Sequence, residues 1–349
     1  MKNRVWYADI LRIIAILLVV LLHTSSRDFE RYEIGTFNWQ MLNLFDGFAR
    51  ICVPLFVMLS GMFMLNPERE RPIRVLYQKN IFRMVKVFLF WSFFYAIFIT
   101  LFPFTSIHIT QKTLKTIWDA FYEGHFHLWF IFRIVELYVM TPFLKKIAED
   151  KKTMLYLIAY CFVIGFLIPT LRRFPVASTT TIVEDWFNLD ITFGYVAYYF
   201  LGYYLNKFEL TKKATHILYG LGITGFLITI VGTSVLSMQR GKQVDLLYEY
   251  LTPNVFFAAI AFFVFFKQHI QHYQPKGDKQ KIIALLSNRS FGVYLVHVLV
   301  LYILWKWGLT TEFLPTILSV PLITAGVFII SYYLITWLSK IPGLKKIIM

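Results

Sequence analysis

ILRIIAILLVVLLHTSS, residues 10–26, is almost wholly apolar yet carries Arg12 and His23. A run of this length is what an α-helix needs to cross ~30 Å of hydrocarbon, about 20 residues. Runs like it recur along the whole chain, which is 58% hydrophobic, 19% aromatic and only 16% charged. A soluble domain is nearer a quarter charged, so the composition reads as an all-α, polytopic bundle in a lipid bilayer. Ten spans are expected, at 6–25, 44–64, 81–102, 126–144, 153–170, 189–206, 215–236, 251–267, 287–306 and 315–338. The first lacks a small-residue cleavage site and is followed by equally apolar runs, so it reads as a span and not as a signal peptide.

The net charge of +15 raises the question of nucleic acid, and its placement answers it. With the N-terminus in the cytoplasm, 21 of the 35 Lys and Arg fall on inner segments, 8 on outer loops and 6 within spans. That asymmetry puts both termini inside by the positive-inside rule. The basic excess is therefore mostly topological, and no nucleic-acid partner is expected. Residues 1–349 read as a single integral-membrane domain with no appended soluble domain. The stretch ITQKTLKTIWDAFYEG, 109–124, suits a short amphipathic helix at the membrane surface. Cys52 and Cys161, far apart and both in apolar runs, suggest neither a disulfide framework nor a metal site. Gly220-x-Gly222-x-x-Gly225 matches a dinucleotide fingerprint only as a string. It follows no strand and lies inside a span, where it reads as close helix packing.

Arg12 and His23 are eleven residues apart, three turns plus ~20° at ~100° per residue, so they share one face of the first helix about 16 Å apart. Asp9 lies one turn before Arg12, placed to pair with it. Intramembrane ionisable groups are costly and point toward function, although snorkelling of Arg12 and a wet interfacial His23 describe the segment about as well. The second span, FDGFARICVPLFVMLSGMFML (45–65), places Asp46 and Arg50 at i,i+4, then Pro54 and Ser60-Gly61. HFHLWFIFRIVELYVMTPF (125–143) adds His127, Trp129, Arg133, Glu136, Tyr138 and Pro142. Arg133 and Glu136, at i,i+3, are expected mainly to neutralise each other. In NRSFGVYLVHVLVLY (288–302), Tyr294 and His297 fall mid-span. A lone buried histidine there is more often structural than catalytic.

Taken together, DILRIIAILLVVLLH with its Arg-x10-His spacing, RICVPLFVMLSG, HLWFIFRIVELYVMTPF and FGVYLVH, in that order, resemble the membrane acyltransferase-3 family. SRD at 26–28 adds to this less firmly, and the look is that of the stand-alone O-acetyltransferases of enterobacterial common antigen. The resemblance implies a multi-pass enzyme of the bacterial cytoplasmic membrane. It would move an acyl group, usually acetyl, from cytoplasmic acyl-CoA to a hydroxyl of a cell-surface or lipid-linked glycan. Acyl-CoA is then a co-substrate, and no tightly bound cofactor or metal is expected; self-association into a homo-oligomer stays open. By the same resemblance His23 is the leading catalytic residue and Arg12 belongs to its motif, with Asp9, Arg50 and Ser60 nearby as donor-binding or supporting groups. The family often carries Arg-x-x-Arg at the start of the third span. Here Asn80-x-x-Arg83 occupies that place and Arg71-x-x-Arg74 lies upstream, in the basic stretch PERERPIRVLYQKNIFRMVK (67–86). Arg83, Arg71 and Arg74 are thus candidates for the anionic end of the donor. His127, Trp129, Glu136, Tyr138, Tyr294 and His297 are supporting candidates. A transporter of a polysaccharide or small solute would also line a path with polar residues, and a non-catalytic membrane partner is the blander reading.

Overall fold

A computed structural model of the chain describes residues 4–69, 72–102, 110–173 and 192–344. Arg71 lies outside them. The described residues form helices and no strand: α1 Trp6–Ser26, α2 Phe37–Ala49, α3 Cys52–Met64, α4 Ile73–Leu101, α5 Gln111–Glu123, α6 Trp129–Glu149, α7 Lys151–Arg172, α8 Thr192–Lys207, α9 Lys212–Arg240, α10 Pro253–Ile270, α11 Gly277–Lys306 and α12 Thr316–Leu338. Nine helical stretches among the described residues are long and apolar enough to cross a membrane. The expected span at 189–206 holds α8, Thr192–Lys207, and its first residues, 189–191, lie outside the described ones. Its side chains from Gly194 to Tyr203 are buried all round, as in a helix surrounded by others rather than by lipid.

The second span begins earlier than expected and is two helices. Pro54 has no N–H to give the Arg50 carbonyl, and its ring crowds that carbonyl, so the chain breaks at Arg50-Ile51 and restarts as α3. The amphipathic stretch is α5, which buries none of its residues; a Thr110/Thr113 capping box starts it and Gly124, at φ +73°, ends it. No such break occurs at Pro142, where α6 continues to Glu149.

Glycines set the closest crossings. A Cβ on Gly61 would overlap the Tyr199 carbonyl of α8, and a Cβ on Gly202 the Met58 carbonyl of α3. Ser60-Gly61 therefore has a packing reason, because only a missing side chain lets the two backbones meet. Gly222 and Gly225 do the same for α9 against Ala261 and Asn254 of α10. Helices α1 and α11 run side by side in the same direction. Arg12 meets Ser287 at one end, His23 faces His297 in the middle, and Asp28 accepts from Trp305 Nε1 at the other.

Candidate active site

At the end of the bundle that bears the N-terminus, a cavity of ≈ 530 Å³ opens between α1, α3, α4, α6 and α11. Arg4, Asp9 and Arg12 line it from one side, Ser60, Asn80 and Arg83 from another, and Tyr138 and Tyr294 close it. Asp9 organises the charges. It accepts from Arg4 Nε at 2.5 Å, from Arg12 Nη1 at 3.1 Å and from the Ser287 hydroxyl at 2.5 Å. Arg12 Nη1 also donates to Ser287 Oγ at 2.9 Å, and its guanidinium lies over the Phe63 ring at 5.7 Å. Ser60 donates to the Tyr138 hydroxyl at 3.3 Å.

Asn80 and Arg83 reach the cavity from a π turn, Tyr77–Ile81, and the residues just after it. Such a turn shifts the phase of the following side chains and is common at functional positions. Arg83 is half-buried and has no hydrogen-bond or ion-pair partner among the described residues. Among the described residues the cavity thus holds three arginines against one carboxylate, an excess of positive charge that favours an anionic ligand. Arg74 is exposed and is not among the lining residues.

About three turns up α1, His23 belongs to a second group. Its ring lies 5.2 Å from that of His297 and 5.4 Å from that of Phe126. His297 is in turn 5.5 Å from His127. His127 Nδ1 and His125 Nδ1 share a hydrogen bond of 2.6 Å across the turn before α6. Four histidines from three segments therefore meet. His297 Nδ1 lies 2.7 Å from the Tyr294 carbonyl, which only accepts, so Nδ1 carries the proton. In the neutral ring Nε2 is then the lone-pair nitrogen; it is buried and lacks a partner among the described residues, as does His127 Nε2. Orphaned buried nitrogens of this kind are rare unless a substrate or water completes them. Tyr294 joins the two groups: it lines the cavity, and its hydroxyl donates to the His127 carbonyl at 2.5 Å.

The other candidates sit elsewhere. Arg50 donates to Asp46 at 2.7 Å and lies over the Tyr248 ring at 4.3 Å, away from the Arg12 cavity but close enough to His23 to interact electrostatically. Glu136 pairs with Arg133 at 2.7 Å, and Trp129 packs against Tyr250 with ring centroids 5.7 Å apart. Sequence reasoning passed over Arg4, counted only as a topological charge, and Ser287. It also missed His125, for which the His-x-His spacing before Trp129 was an available signal. Asp28, which also accepts from Thr311, anchors the end of α1 beyond His23. Cys52 and Cys161 are free and buried, and no metal-binding group occurs among the described residues.

A family model described as an acyltransferase domain matches residues 5–336. No curated protein and no solved structure matches the chain.

Proposed function

The chain belongs to the membrane acyltransferase-3 family, and from that premise we propose that it transfers an acetyl group from cytoplasmic acetyl-CoA to a hydroxyl of a cell-surface or lipid-linked glycan. The observation that carries this reading is the placement of two side chains on one helix. Arg12 stands beside an arginine-rich cavity, and His23 stands ~16 Å farther along, within a cluster of imidazoles. The Lys/Arg asymmetry supports a cytoplasmic Arg12 end and an outward His23 end, and the family resemblance is the reason for reading the membrane as the bacterial cytoplasmic one.

In this reading Arg4, Arg12 and Arg83 hold the anionic part of the donor, and its thioester arm extends along α1 toward His23. His23 takes the proton of the sugar hydroxyl as the oxygen attacks the thioester carbonyl. The new C–O ester bond forms, the C–S bond breaks, and the imidazolium returns its proton to the departing thiolate, giving free CoA thiol. General-base help of this kind contributes ~10²–10⁴ in rate. His297 stands beside His23, with Nδ1 committed to the Tyr294 carbonyl and Nε2 left as a buried acceptor that has no partner among the described residues.

The test is acceptor-dependent release of free thiol by the purified protein supplied with acetyl-CoA and glycan acceptors. His23→Ala and Arg12→Ala are expected to abolish release while insertion persists. Movement of a glycan across vesicles with no thiol released would instead assign the chain to transport.

A further inference from the structure

A second cavity, ≈ 380 Å³, lies at the opposite end of the bundle on the other side of α6. Helix α6 separates it from the arginine-rich cavity. Phe130, Ile134 and Tyr138, four residues apart, face the first cavity, whereas Trp129 and Arg133 face the second. Its volume falls in the ~300–1,000 Å³ range of small-molecule sites. Trp129, Tyr195 and Tyr250 supply aromatic walls, with Trp129 and Tyr250 nearly parallel at 29°.

The charges differ in kind from those of the first cavity. Arg133 pairs with Glu136 at 2.7 Å, and Arg173 pairs with Glu249 at 3.5 Å. Among the described residues each lining guanidinium has a carboxylate partner, so the lining offers donors and acceptors together. The Thr170 hydroxyl in the wall is nine-tenths buried and lacks a hydrogen-bond partner among the described residues. Aromatic faces beside paired donors and acceptors match a ring that has apolar C–H faces and an equator of hydroxyls. A phosphate would instead need unpaired positive charge. Trp129, in the pocket wall, is two residues beyond His127, whose ring belongs to the imidazole cluster.

We propose that this pocket is the subsite for an uncharged sugar ring of the acceptor, so that donor and acceptor enter from opposite ends and meet across α6 at His23. The assignment rests on the transferase reading above. Arg173 and Glu249, both about half exposed, are the residues to test, since neither supports the core.

The experiment uses the full chain in lipid nanodiscs with methyl glycosides of glucose, galactose and N-acetylglucosamine. In steady-state thiol release, Arg173→Gln and Glu249→Gln are expected to raise the acceptor KM at least tenfold with the acetyl-CoA KM unchanged. Arg173→Lys should recover part of the loss. In parallel, diazirine derivatives of the same glycosides should label peptides containing 129–133 or 249–252, in competition with the parent glycoside. Labelling confined to other regions, no labelling by any probe, or a rise in the donor KM alone would overturn the assignment. Labelling of the pocket without any thiol release would uphold the sugar site and refute the transferase reading.

Discussion

The Tyr294 hydroxyl donates to the His127 backbone carbonyl at 2.5 Å, and the same tyrosine lines the arginine-rich cavity. One side chain of α11 thereby fixes the turn that carries His125 and His127 and forms the boundary between the arginine-rich cavity and the imidazole cluster. Tyr294→Phe keeps the ring and removes the hydrogen bond. It is expected to lower kcat about tenfold with little change in donor KM, since the loss of one buried hydrogen bond is worth ~1 kcal/mol or somewhat more. A change confined to donor KM would place the hydroxyl's role in the cavity instead.

Among the described residues Arg83 is the cavity arginine with no hydrogen-bond or ion-pair partner, so it is placed to meet an incoming anion. Arg83→Ala should raise the acetyl-CoA KM roughly tenfold or more, as expected for a lost charge-assisted contact of ~1.5–3 kcal/mol, and should leave the acceptor KM alone. Arg74→Ala, at an exposed position outside the cavity, should change neither constant. Equal effects of the two substitutions would remove Arg83 from the donor site.

Asp9 holds two arginines and Ser287 in place. Asp9→Ala leaves two partly buried cations facing each other, and removal of one partner from a buried pair costs ~3–5 kcal/mol. A drop of several degrees in thermal midpoint in detergent is expected, together with loss of activity. Ser287→Ala should be milder in both respects. An Asp9→Ala protein as stable as the parent would show that the network does not hold α1 against α11.

The glycines separate into two kinds. Gly61→Leu forces a side chain into the Tyr199 backbone and should prevent folding, seen as loss of monodisperse protein on size exclusion. Gly220 has open space around the place of its Cβ. Gly220→Ala should therefore be tolerated or stabilising by roughly 0.5–1 kcal/mol, through higher helix propensity. Comparable damage from both would refute the packing account of the α3–α8 crossing.

Much of the architecture was legible because lipid imposes it. A chain that must satisfy every backbone group inside hydrocarbon has helices as its recourse, and their lengths follow from apolar runs. The 3.6-residue period likewise placed Arg12 and His23 on one face of α1, and the i,i+3 spacing paired Arg133 with Glu136. Such facts are local, so composition and periodicity reach them. Which helices meet is another matter. The meeting of Asp9 with Ser287, of His23 with His297 and of Tyr294 with His127 joins residues 167 to 278 positions apart. It depends on how closely backbones approach at Gly61 and Gly202 and on where Pro54 and the π turn at Tyr77–Ile81 shift the phase of a helix. Packing in three dimensions therefore separated Arg83, which reaches the cavity, from Arg50, which the sequence had grouped with it, because a helix's own period says which face a residue takes but not what that face meets.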